Sequence, residues 1–166
     1  DRALAANTTA EDNVAIGREA LNGATTGSYN IGIGRNAMFA NTTGTRNVGI
    51  GYVALDANTS ASYNTAIGAY ALTTNVTGTH NTAVGDYALA DNTGSNNVAL
   101  GNTALDSVEG GANANVAIGD AALTAITTGD SNVGVGFEAL NATTTTSQNT
   151  AVRSIFRHLV PINFFG

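Results

Sequence analysis

The sequence predicts an all-β fold, a parallel β-solenoid of about eight 17-residue coils, on three observations. Asn recurs at 13, 30, 47, 64, 81, 97, 115, 132 and 149, in steps of 17 except for one of 16 and one of 18. Each Asn opens a near-identical block: NVAIGREAL at 13, NIGIGRNAM at 30, NVGIGYVAL at 47, and so on to NVGVGFEAL at 132. Between blocks lie stretches such as NGATTGSY and FANTTGTR, whose Asn, Thr, Gly and Ser favour turns.

A helical unit is excluded on physical grounds. Gly recurs inside every block, at Gly17, Gly34, Gly51 and onward to Gly136, and each would cost a helix about 1 kcal/mol relative to Ala. β-branched residues sit where a helix would carry Ala or Leu. Seventeen residues are also too few for a two-helix repeat, which runs to roughly 33–47.

The columns of the repeat predict its core. In the strand Asn13-Val14-Ala15-Ile16-Gly17 side chains alternate between faces. The Ile16 column holds only Ile, Val or Leu and is expected to be core, with the Val14 column on the same face. The Ala15 column contains only Ala or Gly. It lines a tight interior or meets a closely approaching second chain, and the sequence leaves both open. The Ala20 column is Ala in all eight complete units and is read as a structural repeat position; the Leu21 column departs from Leu only at Met38 and is assigned to the core. The Asn13 column is expected to hydrogen-bond up and down the stack. Gly17 and its equivalents are expected where φ is positive or a Cβ has no room. At a strand spacing of ~4.8 Å, eight coils make a rod of roughly 40 Å.

These blocks, N-[VT]-[AG]-[IV]-G-x-x-A-L followed by N-T-T-G, resemble the head repeats of trimeric autotransporter adhesins and the repeats of bacteriophage tail fibres over about residues 1–152. The resemblance implies a left-handed parallel β-roll or β-helix that trimerises side by side. The adhesin unit is shorter, about 14 residues, so the present coil is expected to be wider.

Composition points the same way. Charged residues make up 11% of the 166, Lys is absent, and the net charge is −6. Without a dense basic patch no nucleic-acid partner is expected. Cys is absent, so no disulfide or thiolate site exists. No apolar run reaches the ~18 residues of a membrane helix, so no membrane insertion is expected. The chain begins at Asp1, not Met, and is expected to be a processed product or an excised fragment.

No catalytic, cofactor or metal site is expected. His80 lies in a turn, and the Asp residues form no calcium loop. Sequons at Asn7, Asn41, Asn58, Asn75 and Asn141 are read as by-products of Asn-Thr repetition. Paired residues such as Thr25-Thr26, Thr42-Thr43 and Thr127-Thr128 suggest a hydroxyl file; because the pairs are adjacent they point to opposite faces, which disfavours ice binding. Tyr29, Tyr52, Tyr63, Tyr70 and Tyr87 form a stripe suited either to a glycan or to rim packing between chains.

After Val152 the pattern breaks. Residues 153–166 carry Phe156, Phe164 and Phe165 and are expected to form either a cap on residues 1–152 or a plug for a head-to-tail filament. The expected function is a non-catalytic structural fibre or adhesion segment, of phage tail fibre or bacterial surface adhesin, extracellular, cell-surface or on a virion. Its partners are expected to be itself, as a homotrimer or filament, and a cell-surface glycan or protein receptor. A ligand-binding solenoid, for glycan or ice, is the alternative.

Overall fold

After each Asn a β-branched residue, an Ala or Gly and a large aliphatic residue form a short strand, which ends at the following Gly in the first eight coils and at Arg153 in the ninth. In a computed structural model, which describes residues 2–24, 26–108 and 110–153, this happens nine times: β1 Val14–Ile16, β2 Ile31–Ile33, β3 Val48–Ile50, β4 Thr65–Ile67, β5 Thr82–Val84, β6 Val98–Leu100, β7 Val116–Ile118, β8 Val133–Val135 and β9 Thr150–Val152. The strands form one parallel sheet in chain order, each residue pairing with its equivalent in the next coil, as Ala15 does with Gly32. The fold is therefore a parallel β-solenoid, and no helix occurs among the described residues.

The core is a stack of leucines. Leu21, Met38, Leu55, Leu72, Leu89, Leu105 and Leu123 are fully buried, with the Ala20 column beside them. Opposite lies the Ala15 column: an added Cβ at Gly32 would touch Leu21 Cγ at 3.0 Å, and one at Gly134 would touch Leu123 Cγ at 3.0 Å. The coil is so flat that a Leu from one wall reaches the other. Only Ala or Gly fits beneath it. Of the two readings of this column, the tight interior holds, and no second chain faces it.

The same geometry overturns the expected core face of the strand. With Ala15 inward, alternation turns Val14 and Ile16 outward. Ile16 is 58% exposed, Ile67 38% and Val152 76%. The Ile16 column is not core; it is the outer surface of the sheet.

Two kinds of backbone conformation bend the coil. Gly17 and its equivalents have φ between +114° and +141°. A Cβ on Gly17 would also lie 2.7 Å from the Gly34 carbonyl oxygen, so Gly is required on both counts. The Leu21 column is left-handed as well, with φ from +49° to +55°, a conformation that costs L-residues roughly 1–2 kcal/mol each. What holds it there is burial together with a bond between coils: the Met38 N–H donates to Ala54 O at 2.9 Å, while two residues earlier the Asn36 N–H donates backwards to Arg18 O at 2.9 Å.

Buried amides support the corner. The Asn30 N–H donates to Asn13 Oδ1 at 2.8 Å, and the bond repeats at each step to Asn149. The expected Asn stacking is thus realised mainly through backbone N–H donors. A second column runs alongside it. Asn41, Asn58, Asn75 and Asn92 are fully buried, and Asn58 Nδ2 donates to Asn41 Oδ1 at 2.8 Å. The two columns share an acceptor, since Asn30 Nδ2 and Asn41 Nδ2 both donate to Gly44 O. Where Val108 and Ile126 replace the second column, the first keeps these bonds and also pairs side chain to side chain, as Asn132 Nδ2 does with Asn115 Oδ1 at 3.1 Å.

Candidate functional site

Burial of the Leu, Ala and Asn columns leaves three kinds of outward surface. The first is the sheet face. Its two columns, from Val14 and Ile16 to Thr150 and Val152, carry Val, Ile, Leu and Thr and no charged residue. Over nine strands at ~4.8 Å and two rows roughly 7 Å apart, the face is a band on the order of 300 Å² before its flanks are added. That matches the largest apolar patch of a typical monomer, about 300–600 Å², which is often a functional surface.

The second surface is aromatic and flanks the sheet face on both sides. On one flank the Arg46 guanidinium lies 5.3 Å from the Tyr29 ring and 5.5 Å from the Tyr63 ring, and Tyr63 stacks on His80 at 4.8 Å with 10° between planes. On the other, Arg35 lies over Tyr52, Tyr52 meets Tyr70 edge-on, and Tyr70 stacks on Tyr87 at 4.7 Å. Partial burial, then the neighbouring Tyr52 and Tyr87 hydroxyls and the Asp86 carboxylate, push the Tyr70 phenol above its ordinary value. The predicted tyrosine stripe is thus two stacked ladders. Each stacked ring covers its neighbour's face, leaving edges and hydroxyls for solvent. A sugar ring needs an open aromatic face, so stacking disfavours a glycan platform here and suits a rigid rim. His80 is a member of this ladder, exposed and with positive φ.

The third surface is hydroxyl-rich. In the Thr pairs the first hydroxyl turns along the stack: Thr42 Oγ1 donates to Thr59 O and Thr127 Oγ1 to Thr144 O. Only the second residue of each pair, Thr43, Ser60 or Thr128, is left exposed, a file one residue wide. Thr25 lies outside the described residues. Two columns further on, Ser28, Ser62, Ser95 and Ser147 accept backbone N–H bonds from the preceding coil, as Ser62 Oγ does from Thr45 at 3.0 Å. These hydroxyls serve the coil.

The sequons sort by burial. Asn41, Asn58 and Asn75 are fully buried and hydrogen-bonded, so only Asn7 and Asn141 present an amide to solvent in the folded coil. Among the described residues no three of His, Cys, Asp and Glu gather to hold a metal ion, and no pocket is present. Asp56 and Asp106 are half-buried, and burial raises both carboxyls above their ordinary value, with Asp91 adding to the effect at Asp106. The ladder of backbone bonds reaches Arg153, whose N–H donates to Val135 O and whose guanidinium meets Glu138 at 3.2 Å. Phe156, Phe164 and Phe165, proposed from sequence for assembly, lie outside the described residues. Compared with protein-family models, curated proteins and solved structures, the chain finds no match.

Proposed function

We propose that this chain is a non-catalytic structural segment, of the tail-fibre or surface-adhesin kind, that builds an elongated fibre by lateral association of copies through the outer face of its sheet. One observation carries the reading: the large aliphatic column runs the length of the rod on the outside, while Ala and Gly fill the inside. Fully burying a Val, Leu or Ile side chain stabilises by about 1.5–3 kcal/mol; neighbouring coils already cover most of each side chain, and the part left at Ile67, Leu100 and Ile118, 36–39% exposed, is gained only when something covers the sheet. A second copy fits best, because its rows repeat at the same ~4.8 Å and can meet these row by row. From the Asp12 column to the Arg18 column the surface is at most roughly 20 Å wide and about 38 Å long, or on the order of 750 Å². Each partner in a standard-size interface buries ~800 Å².

The test is solution mass. The wild-type chain is expected to associate at micromolar concentration, and the I67D/I118D double variant to run as a monomer with an unchanged β-rich circular dichroism spectrum. A wild-type chain that stays monomeric sinks the proposal.

A further inference from the structure

The sheet face says where a second copy sits; its two flanks say how it is aligned. We propose that copies associate with axes parallel and coils in register, the flank of one against the opposite flank of the next, and that residues 12, 18, 80 and 86 set that register. This rests on the lateral association proposed above.

The two flanks carry residues six apart in each coil. One is the column of Asp12, Tyr29, Arg46, Tyr63 and His80; the other is the column of Arg18, Arg35, Tyr52, Ala69 and Asp86. All of these except the partly covered Ala69 are exposed. Within the chain they bond along their own flank: Arg18 lies 3.8 Å from Glu19, and the two arginine–tyrosine ladders each run up one side. Their outer edges remain open to a neighbour.

Rotation about an axis parallel to the rod brings one flank of a copy against the opposite flank of the next at equal height. In register, Asp12 then meets Arg18, Tyr29 meets Arg35, Arg46 meets Tyr52, and His80 meets Asp86. These are an ion pair, two cation–aromatic pairs and an imidazole N–H donor facing a carboxylate. The remaining coils add Asn96 opposite Asn102, and no coil sets like charges together.

Other alignments lose this match. Slipping by one coil in one direction puts Arg35 against Arg46; slipping in the other keeps one ion pair, Asp12 with Arg35, but loses both cation–aromatic pairs and sets Asn102 instead of Asp86 against His80. A centred antiparallel pair sets Asp86 against Asp86, because β5 is the middle of the nine strands. The aliphatic columns are nearly uniform along the rod and cannot choose among these registers. The flanks can, by favouring one arrangement and opposing the rest.

Cysteine cross-linking tests the alignment, since the natural chain has no Cys. When full-length H80C and D86C chains are mixed and oxidised, the proposal expects disulfides between the two variants. Same-residue disulfides only, or no disulfide in an associated sample, overturn the parallel in-register arrangement while leaving lateral association intact. A wild-type chain that does not associate overturns both. Charge is tested separately. R18D and D12R are each expected to self-associate about tenfold or more weakly than wild type, and an equimolar mixture to regain association, since Asp at 18 then meets Arg at 12 in another chain. Single variants that associate as wild type does, or a mixture no better than either, overturn the assignment of register to these charges.

Discussion

Replacing Asn64 by Ala tests whether the buried amide ladder holds the coils together. Asn64 Oδ1 accepts the Asn81 N–H at 3.0 Å, and its Nδ2 donates to Gly78 O at 2.9 Å. The acceptor and the donor left behind differ. Gly78 O retains a second donor in Asn75 Nδ2 at 2.9 Å. The Asn81 N–H retains none, and an orphaned buried donor costs about 1–3 kcal/mol. The net loss of a second hydrogen bond and the void left by the truncated amide each add roughly 1 kcal/mol. N64A is therefore expected to destabilise by about 3–5 kcal/mol, against about 0.5 kcal/mol or less for N102A on the exposed flank.

Asn64→Asp separates hydrogen bonding from volume. The carboxyl keeps an acceptor for Asn81 but replaces the donor to Gly78 with a second oxygen, and burial raises its folded pKa above the ordinary value of about 4. Below that value it is protonated in both states and its O–H can donate to Gly78. As pH rises through the raised folded pKa, the charged form is penalised only in the fold, so stability falls. Urea unfolding followed by circular dichroism at several pH values measures both variants. Hydrogen exchange should place the damage in the coils of Asn64 and Asn81, since each coil touches only its neighbours. N64A within about 1 kcal/mol of wild type, or N64D with no pH dependence beyond that of wild type, would refute the reasoning.

Three further substitutions probe the backbone and the half-buried carboxylate. G85A must hold a Cβ at φ +136° and 2.6 Å from the Gly101 carbonyl carbon, so it is expected to cost about 3 kcal/mol or more. G111A, at φ +79° with its nearest neighbour 3.7 Å away, is expected to cost only about 1–2 kcal/mol, and equal losses in urea melts would count against this reading. D56N removes a half-buried carboxylate whose Oδ1 has no hydrogen-bond partner among the described residues. Because burial raises the folded pKa of Asp56, the wild-type penalty is absent below about pH 4 and grows above it; D56N should melt higher at neutral pH, with the gap closing on acidification. A gap that widens in acid would rule this out.

The solenoid was legible because its columns are near-invariant, and so were several of their roles. The Gly17 column shows positive φ, the Leu21 column is buried, and the Asn13 column bonds along the stack. The inward face of the strand was misread for a physical reason. Large aliphatic residues normally go inside, but here the interior width is set by the Leu column across the coil, and only Ala or Gly fits beneath it. The signal was present as volume complementarity, an Ala/Gly column facing a Leu column, and hydrophobicity alone does not read it. The second Asn column was taken as incidental sequons, although Asn41 stands three residues before Gly44 and caps its carbonyl. The left-handed Leu column has no compositional signal, since that conformation ordinarily favours Gly, Asn or Asp.

That misreading also carries the functional argument. A strand with small residues inside and large ones outside does not complete its own core. The Leu stack closes each coil, so the chain folds as a rod; the Ile16 column then extends along that rod without a partner. A uniform apolar stripe supplies attraction but little direction, because any row can meet any other. Direction has to come from what varies along the axis, and on this rod that variation lies in the flanks. Arginines stand in the first three coils, and beyond Arg46 there is no further Arg until Arg153, while Asp86 and Asp120 occupy the later positions of the Arg18 column. In the proposed association the repeat supplies the attraction, and its departures from repetition supply the specificity.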